Sequence, residues 1–204
     1  MAINLKVNAS VVDICSDTPD SKDAFLVDTN VWYWMTYSRA SIGAKFYQVD
    51  SYPAYTSSAL AANATIYQAG VSIAELTHII ERSEREIFNR ANPPVSIKEY
   101  RHNFPDEREG VCLEIKSACM QVLALGESID ISVNSEMVNS ALSHLTTCSV
   151  DGYDLFLLEA MAASGVTQVI TDDGDFATVP GITVFTANRT IINAARAQGK
   201  LLVR

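Results

Sequence analysis

The 204-residue sequence lacks several patterns that would assign a function directly. Its four cysteines lie far apart and form no CxxC or Cys/His ligand pattern, so neither a zinc site nor a disulfide framework is predicted. Reduced thiols are expected instead. The sequence contains no GxxxxGK[ST] or GxGxxG loop and no arrangement typical of a Ser-His-Asp or Cys-His nucleophile. Any chemistry must therefore come from other residues.

Long apolar runs are also missing. No stretch reaches 18 apolar residues, because Asp154 and Glu159 interrupt the best candidate. The first 23 residues contain acidic side chains and no continuous apolar segment, which argues against a signal or transit peptide. We therefore expect a cytoplasmic protein with no membrane association.

Positive charge is scarce relative to negative charge. The chain has 15 Lys and Arg residues against 24 Asp and Glu residues, a formal net charge of -9. This sign is wrong for nonspecific nucleic-acid binding over the whole surface. A polyanionic ligand would need a local basic patch or a metal ion.

What the sequence does contain is a succession of short apolar strands separated by helical patterns. Residues 24–27, the segment VTQVI and the segment ITVFTA are typical of buried strands. The helices between them predict an α/β fold, with one parallel sheet and helices on both faces. A helix from Pro53 toward Gly70, another beginning near Ser72 and a third over residues 153–164 are also expected.

Acidic residues follow two of the predicted strands. Asp28 comes directly after AFLV, and TDDGD follows TQVI with three aspartates at positions 172, 173 and 175. Glu75 and Asp154 lie near the beginnings of two predicted helices. Because ligands of open α/β sheets bind at the carboxyl ends of the strands, these acids are candidates for one site.

Helix capping is an alternative explanation for each of these acids. Asp28 is followed by Thr29 and could cap the next helix, while Ser72 and Glu75 match the capping-box pattern. Asp154 could be an ordinary first-turn acid, with Asp151 as the true cap. The sequence leaves both explanations open for each residue.

A divalent cation would compensate the repulsion among such acids. A close pair of carboxylates repels by about 4 kcal/mol at an effective dielectric constant of ~20. An all-oxygen ligand set selects a hard ion, so Mg²⁺ or Mn²⁺ is expected rather than Zn²⁺. His78 and His144 have no ligand-like spacing to the acids and are expected to be ordinary helix residues.

Four segments resemble, in order and spacing, the acidic motifs of the PIN domain, including toxins of VapC-type toxin-antitoxin pairs. They are FLVDTNVWYW, VSIAELTHII, YDLFLLEAMAASGV and VITDDGDFATVPGITVFT. The resemblance spans residues 24–186. It implies a PIN-like sheet of about four to five strands in residues 24–204, a helical central elaboration over residues 82–150 and an N-terminal extension over residues 1–23.

The resemblance also implies a function and a set of site residues. It implies a Mg²⁺- or Mn²⁺-dependent ribonuclease that hydrolyses phosphodiester bonds, with RNA as substrate and an antitoxin-like protein as a partner. Asp28, Glu75, Asp154 and Asp173 would be the catalytic and metal-binding residues, Asp175 a fifth metal ligand, and Asn30 and Thr171 polar supports. The chain differs from the compact toxins of this family in its N-terminal lead and in the wide gap between Glu75 and Asp154.

Two other functions compete with the nuclease. A noncatalytic PIN-fold module that binds RNA or a protein would keep the fold without the chemistry. A phosphatase with an aspartyl nucleophile usually has a second acid two positions later, where this chain has Asn30.

Basic and aromatic side chains also have two explanations each. The basic candidates for RNA contacts, which could equally be solvated surface charges, are Arg39, Lys45, Arg82, Arg85, Arg90, Lys98, Arg101, His102 and Arg108. Trp32, Trp34 and Tyr37 could stack on bases, but we expect them to pack in the core or at a homodimer face.

Overall fold

The computed structural model describes residues 4–204, which form one α/β domain with a single parallel sheet. The strands are β1 (Ser10–Asp13), β2 (Ala24–Val27), β3 (Thr65–Ala69), β4 (Glu127–Ile129), β5 (Gln168–Ile170), β6 (Thr183–Thr186) and β7 (Leu201–Leu202). The helices are α1 (Thr29–Thr36), α2 (Phe46–Ala61), α3 (Gly70–Ala91), α4 (Ile97–Asn103), α5 (Pro105–Leu125), α6 (Ser135–His144), α7 (Gly152–Ser164) and α8 (Arg189–Ala197).

The strand order places β2 and β5 side by side near the middle of the sheet. The order is β4-β3-β2-β5-β6-β1-β7, and every pairing is parallel. The chain proceeds from β2 through β3 to β4 in one direction, while β5 leads to β6 in the other. A change of direction between neighbouring strands opens a crevice at their carboxyl ends. The segments after β2 and β5 meet at this crevice.

Alternate residues of the central strands pack on opposite faces of the sheet. Leu26, Val169 and Val184 contribute to one buried cluster, together with residues of α7 and α8. The neighbouring positions contribute to a second cluster, which contains residues of α1, α2, α3 and α5. Helices therefore cover both faces, as the sequence predicts for a parallel sheet buried on two sides.

The strand count corrects the expectation of four to five strands. Residues 4–204 form seven, and all of them except β3 contain only two to four residues. β4 and β7 lie at the two edges of the sheet that residues 4–204 form. Strands this short carry too few residues to show a clear alternating pattern.

The region around Pro53 also differs from the prediction. Pro53 lies inside α2 rather than at its start, and α2 ends at Ala61 instead of continuing toward Gly70. Residues 65–69 form β3, and Gly70 is the first residue of α3, which therefore begins before Ser72. A short buried strand thus occupies a segment that we predicted to be helical.

Part of the predicted N-terminal extension belongs to the sheet. Residues 1–3 of that extension lie outside the described residues. Residues 10–13 form β1, in which Ser10 pairs with Thr183 and Asp13 pairs with Thr186 of β6. The domain boundary after residue 23 stays a prediction, although the sheet itself begins before it.

Candidate functional site

Asp28 lies at the carboxyl end of β2, in the crevice between β2 and β5. It is only 2% exposed. Thr171, which follows β5, donates a hydrogen bond from Oγ1 to Asp28 Oδ2 at 2.7 Å. Asp28 occupies the N-cap position of α1, but within residues 4–204 its side chain accepts no capping hydrogen bond. Asp28 therefore has the position that the capping explanation expects but not its side-chain hydrogen bond, and its carboxylate faces the segment after β5.

The loop after β5 holds Asp173 and Asp175 through short-range hydrogen bonds. The Asp173 backbone N–H donates to Thr171 Oγ1 at 2.9 Å, and the Asp175 N–H donates to Asp173 Oδ1 at 2.8 Å. Thr171 consequently links the backbone of Asp173 to the side chain of Asp28. The supporting role that the resemblance implies for Thr171 stays a prediction.

Glu75 lies on α3 and does not form the predicted capping box. Ala69, not Ser72, occupies the N-cap position of this helix. Among the residues that the structure describes, neither Ser72 Oγ nor Glu75 Oε2 has a hydrogen-bond partner, although both atoms are buried. The capping explanation for Glu75 is wrong, because its side chain makes no bond to the helix start.

Asp154 is the third residue of α7, directly in its first turn. Asp151 occupies the N-cap position, but its side chain makes no capping bond within the described part of the chain. Burial raises the pKa of Asp154 well above its usual value, and the charges of Asp28, Asp173 and Glu75 raise it further. A first-turn acid on a surface helix would not have these neighbours.

The same environment acts on Asp28. Burial is the main cause that raises the pKa of Asp28, and the charges of Glu75 and Asp173 add to it. The hydrogen bond from Thr171 favours the charged form but does not outweigh these effects. Asp28, Glu75, Asp154 and Asp173 thus share one electrostatic environment at the carboxyl edge of the sheet. Asp28 and Asp173 reach this edge from the ends of β2 and β5, and Glu75 and Asp154 reach it from α3 and α7.

Asp175 lies at the rim of this cluster. Burial raises its pKa, followed by the charges of Asp173 and Asp151. Its backbone is tied to Asp173, whereas the site acids on α3 and α7 are not among the causes that act on it. Asp175 is therefore more peripheral than the other four acids.

The donor chemistry of the cluster fits a hard divalent cation. All the acids offer oxygen, and the buried Glu75 Oε2, which has no partner in residues 4–204, is a free acceptor. In this conformation, however, no three His, Cys, Asp or Glu side chains of the described chain are placed to hold a metal ion together. The acids are neighbours, and a common ion would require their side chains to converge.

Asp172 faces away from the cluster, toward α2. Its carboxylate accepts hydrogen bonds from Tyr47 Oη at 3.0 Å, Gln48 Nε2 at 2.7 Å and Tyr52 Oη at 2.7 Å. The Asn188 side-chain amide also donates to its backbone carbonyl at 2.9 Å. Asp172 therefore fixes the loop that carries Asp173. The sequence offered only the run of aspartates as a signal and did not distinguish this role.

A groove of about 540 Å³ adjoins the cluster along α3. Glu75 and Asn30 lie at the acid end, and Tyr153, next to Asp154, lines it as well. The sequence reasoning placed Asn30 in the site but did not identify Tyr153. Tyr153 could have been predicted, because it directly precedes Asp154 and a side chain at the start of α7 lies close to the carboxyl edge of the sheet.

Several predicted RNA-binding residues are instead engaged in ion pairs. Arg39 pairs with Glu84, while Arg101 and Arg108 both pair with Glu81. The pair with Arg39 joins α3 to the segment after α1, and the pairs with Arg101 and Arg108 join α3 to α4 and α5. They favour the structural explanation for three of the nine basic candidates.

The aromatic and histidine residues also lie where we expect residues that serve the packing of the fold. Trp32 is completely buried in the core, and the Trp34 ring lies 5.3 Å from that of Tyr52. His78 lies on α3, and His144 on α6 contacts Glu159 through Nε2 at 2.9 Å. All four cysteines are free thiols, as expected.

Comparison with known proteins does not assign a family to this chain. No protein-family model and no curated protein matches the sequence. Among solved structures, the chain is similar to a chain in the crystal structure of VapBC2 from Rickettsia felis bound to a DNA fragment from their promoter. The match is 16% identical, covers 80% of this chain and 98% of the other, and has a TM-score of 0.48. A likeness of this size assigns neither a family nor an activity.

No helix in the described range, residues 4–204, is both long and apolar enough to cross a membrane.

Proposed function

We propose that the protein is a divalent-metal-dependent nuclease that hydrolyses RNA phosphodiester bonds. The observation that carries the proposal is the placement of four acids at the carboxyl edge of the sheet, where the buried carboxylates of Asp28 and Asp154 lie close enough to Glu75 and Asp173 for these charges to raise their pKa values. Burying like charges together is costly for stability alone, and clusters of this kind are typical of functional sites. The order and spacing of the four acids, which resemble those of PIN domains, support the same function.

Asp28, Glu75, Asp154 and Asp173 would hold the metal, Mg²⁺ or Mn²⁺, with Asp175 as a peripheral ligand. When bound, the metal supplies an activated water for attack on phosphorus and stabilises charge on the phosphate oxygens. Thr171 orients the Asp28 carboxylate through its 2.7 Å hydrogen bond and holds the Asp173 backbone in register with it. Asp172 and its three donors keep this loop in place.

Cleavage of a single-stranded RNA, measured with and without Mg²⁺ or Mn²⁺, tests the proposal. Wild type should cleave only with metal, and Asp28→Asn, which keeps the shape of the side chain, should lose the activity. Asp50→Asn removes one negative charge from an exposed position on α2 and is the matched control. Cleavage that persists in EDTA, or a folded Asp28→Asn variant with wild-type activity, would contradict the proposal.

A noncatalytic interaction module is the second candidate. It is favoured by the finding that no three acids in the described chain are yet arranged to hold an ion together. This candidate predicts RNA or protein binding without metal-dependent cleavage, so the same assay separates the two functions. A toxin-type role, an antitoxin-like partner and a homodimer stay predictions from the sequence.

A further inference from the structure

The groove beside the acid cluster continues along one face of α3. Glu75, His78, Arg82 and Arg85 line it and follow one another at intervals of three or four residues, which places them on the same side of the helix. Ten residues separate Glu75 from Arg85, a distance of about 15 Å along the axis. The groove therefore runs from an acidic end at the cluster to a basic end.

Most other arginines of the described chain are already neutralised by acids. Five of the nine form ion pairs with aspartate or glutamate, namely Arg39, Arg101, Arg108, Arg189 and Arg204. Within residues 4–204, Arg82 and Arg85 form none, although both lie on the same helix as the paired Glu81 and Glu84. Two of the four guanidinium groups without an ion pair in residues 4–204 therefore lie in the groove that contains Glu75, and the other two belong to Arg90 and Arg196.

Arg85 is also partly preorganised. Its Nη1 donates to the Val95 carbonyl at 3.1 Å, which fixes the side chain against the segment before α4. Its Nε is buried and has no acceptor in the described part of the chain. A buried guanidinium N–H without an acceptor is costly, and a phosphate in the groove would supply anionic oxygens to this group.

Tyr153 adds an aromatic surface to the same groove. The residue is 38% exposed and directly precedes Asp154. Exposed aromatic rings beside a basic track are the combination with which proteins bind single strands without reading sequence, because every base can stack. A duplex would keep its bases stacked internally and could not use the ring in this way.

We propose that this groove binds the backbone of single-stranded RNA, with Arg82 and Arg85 on phosphates and Tyr153 stacking on a base next to the acid cluster. The proposal rests on the proposed nuclease function, and it assigns the side from which substrate enters. A net charge of -9 repels a polyanionic substrate, and the two arginines provide a local positive charge to which the substrate can bind.

The test measures binding of a fluorescein-labelled single-stranded RNA by anisotropy at low salt in EDTA, where cleavage does not interfere. Arg82→Gln and Arg85→Gln should each weaken binding about tenfold, the loss expected for one charge-assisted hydrogen bond. The double variant should also reduce the slope of log K against log salt by about 1.4, since each single-strand phosphate contact contributes about 0.7. Tyr153→Ala should weaken binding, and Tyr153→Phe should restore it.

Arg196→Gln is the matched control, because Arg196 on α8 also lacks an ion pair within residues 4–204 but lies outside the groove. It should bind RNA like wild type. Arg82 is exposed, so Arg82→Gln keeps the test valid if Arg85→Gln unfolds the protein through loss of the Val95 contact. Unchanged affinity and salt slope in folded Arg82→Gln, or no RNA binding by wild type, would overturn the proposal. Tighter binding of duplex DNA than of single-stranded RNA would overturn it as well.

Cleavage assays on the same variants separate this proposal from the nuclease itself. If RNA binding depends on Arg82 but no metal-dependent cleavage occurs, the nuclease proposal is wrong and the RNA-binding role of the groove stands. If metal-dependent cleavage requires Asp28 but does not change in the Arg82 and Arg85 variants, the RNA-binding role of the groove is wrong and the nuclease proposal stands.

Discussion

At the scale of single residues, the burial of Asp28 is the most informative feature of the site. A carboxylate that is 2% exposed and lies near three other acids has little reason to be there for stability. Its carboxylate accepts a hydrogen bond from Thr171 and, within residues 4–204, makes no side-chain capping bond to α1. The residue fits a role in which charge is compensated by a ligand.

Replacing Asp28 by Asn should stabilise the metal-free protein at neutral pH. The raised pKa values of Asp28 and Asp154 mean that the folded state binds protons more tightly than the unfolded state does. The stability of wild type should therefore fall as the pH rises from about 4, the unfolded value, toward the raised folded values. Urea unfolding in EDTA across this range should show a smaller fall for Asp28→Asn than for wild type. Parallel curves for the two proteins would contradict the assignment.

Tyr52 offers a second test at this scale. Its hydroxyl contacts Asp172 at 2.7 Å and Thr186 at 2.9 Å and accepts from the Ala187 N–H at 3.1 Å. Tyr52→Phe leaves buried groups without a partner and should cost about 1–3 kcal/mol, measured by urea unfolding. Tyr153→Phe removes an exposed hydroxyl and should cost less than half a kcal/mol, roughly the range for surface changes. Equal small losses in the two variants would show that the Asp172 network does not stabilise the loop.

At the scale of elements, the helix starts separate real caps from apparent ones. Ser96 before α4 forms a complete capping box, in which the Glu99 N–H donates to Ser96 Oγ at 3.3 Å and the Ser96 N–H donates to Glu99 Oε2 at 2.7 Å. Ser72 and Glu75 have the same sequence pattern, but Ser72 lies inside α3. Identical spacing therefore has different consequences, depending on where the helix begins.

Alanine substitutions should reveal this difference. Ser96→Ala should destabilise the protein by about 1 kcal/mol, the usual loss for an N-cap. Ser72→Ala should be nearly neutral or slightly stabilising, because the hydroxyl is buried and has no partner in residues 4–204. Thermal unfolding of both variants provides the comparison. A larger loss for Ser72→Ala than for Ser96→Ala would restore the capping role of Ser72.

The sequence predicts the strands and helices that have a clear apolar pattern of their own. β2, β5, β6 and the helix α7 appear where the sequence predicts them, and Gly165 after α7 adopts the left-handed φ of +71° typical of a helix end. β1 was missed because its pairing with β6 joins residues more than 170 positions apart. β3 was missed because no strong turn signal separates it from α2, and Pro53 suggested a helix start rather than a helix interior.

The site was predictable to a different degree. The order of acids indicated Asp28, Glu75, Asp154 and Asp173, and the parallel sheet explains why they converge. The opposite orientation of the adjacent Asp172 could not be predicted, since it depends on Tyr47, Gln48 and Tyr52 of α2. Likewise, which arginines remain unpaired depends on the packing of α3 against the central helices.

At the scale of the whole molecule, Arg204 joins distant parts of the chain. It pairs with Asp17 at 2.6 Å and with Asp23 at 2.5 Å, and its guanidinium lies 4.7 Å from the centre of the Phe185 ring. Tyr55 of α2 also donates to Asp17 at 2.5 Å. This cluster connects the segment after β7 with the loop between β1 and β2.

The Arg204 cluster predicts a loss of stability in acid. Burial is the largest single effect and raises the pKa of Asp17 and Asp23. The hydrogen bonds and charge of Arg204, together with further hydrogen bonds from Tyr55 to Asp17 and from Gln168 and the Asp20 N–H to Asp23, outweigh burial and hold both pKa values below the usual range. The stabilisation is therefore present above about pH 4 and is lost as the pH falls through the lowered values. Arg204→Gln should unfold with a weaker dependence on pH below 4, whereas Arg196→Gln should follow wild type in thermal melts. If the stability of Arg204→Gln falls below pH 4 as steeply as that of wild type, the Arg204 cluster is not the cause of the acid dependence.

The most direct measurement of the central claim is the melting temperature as a function of Mn²⁺ or Mg²⁺ concentration. If the four acids hold an ion, the folded state gains RT ln(1 + [L]/Kd), about 2.7 kcal/mol at a hundredfold excess over Kd. For a chain of this size that gain corresponds to a rise of roughly 5 to 11 °C. Asp28→Asn should lose most of the rise, and Asp50→Asn should keep it. Equal rises in wild type and Asp28→Asn, or no rise in wild type up to millimolar metal, would contradict the claim that Asp28 ends its strand to bind a cation.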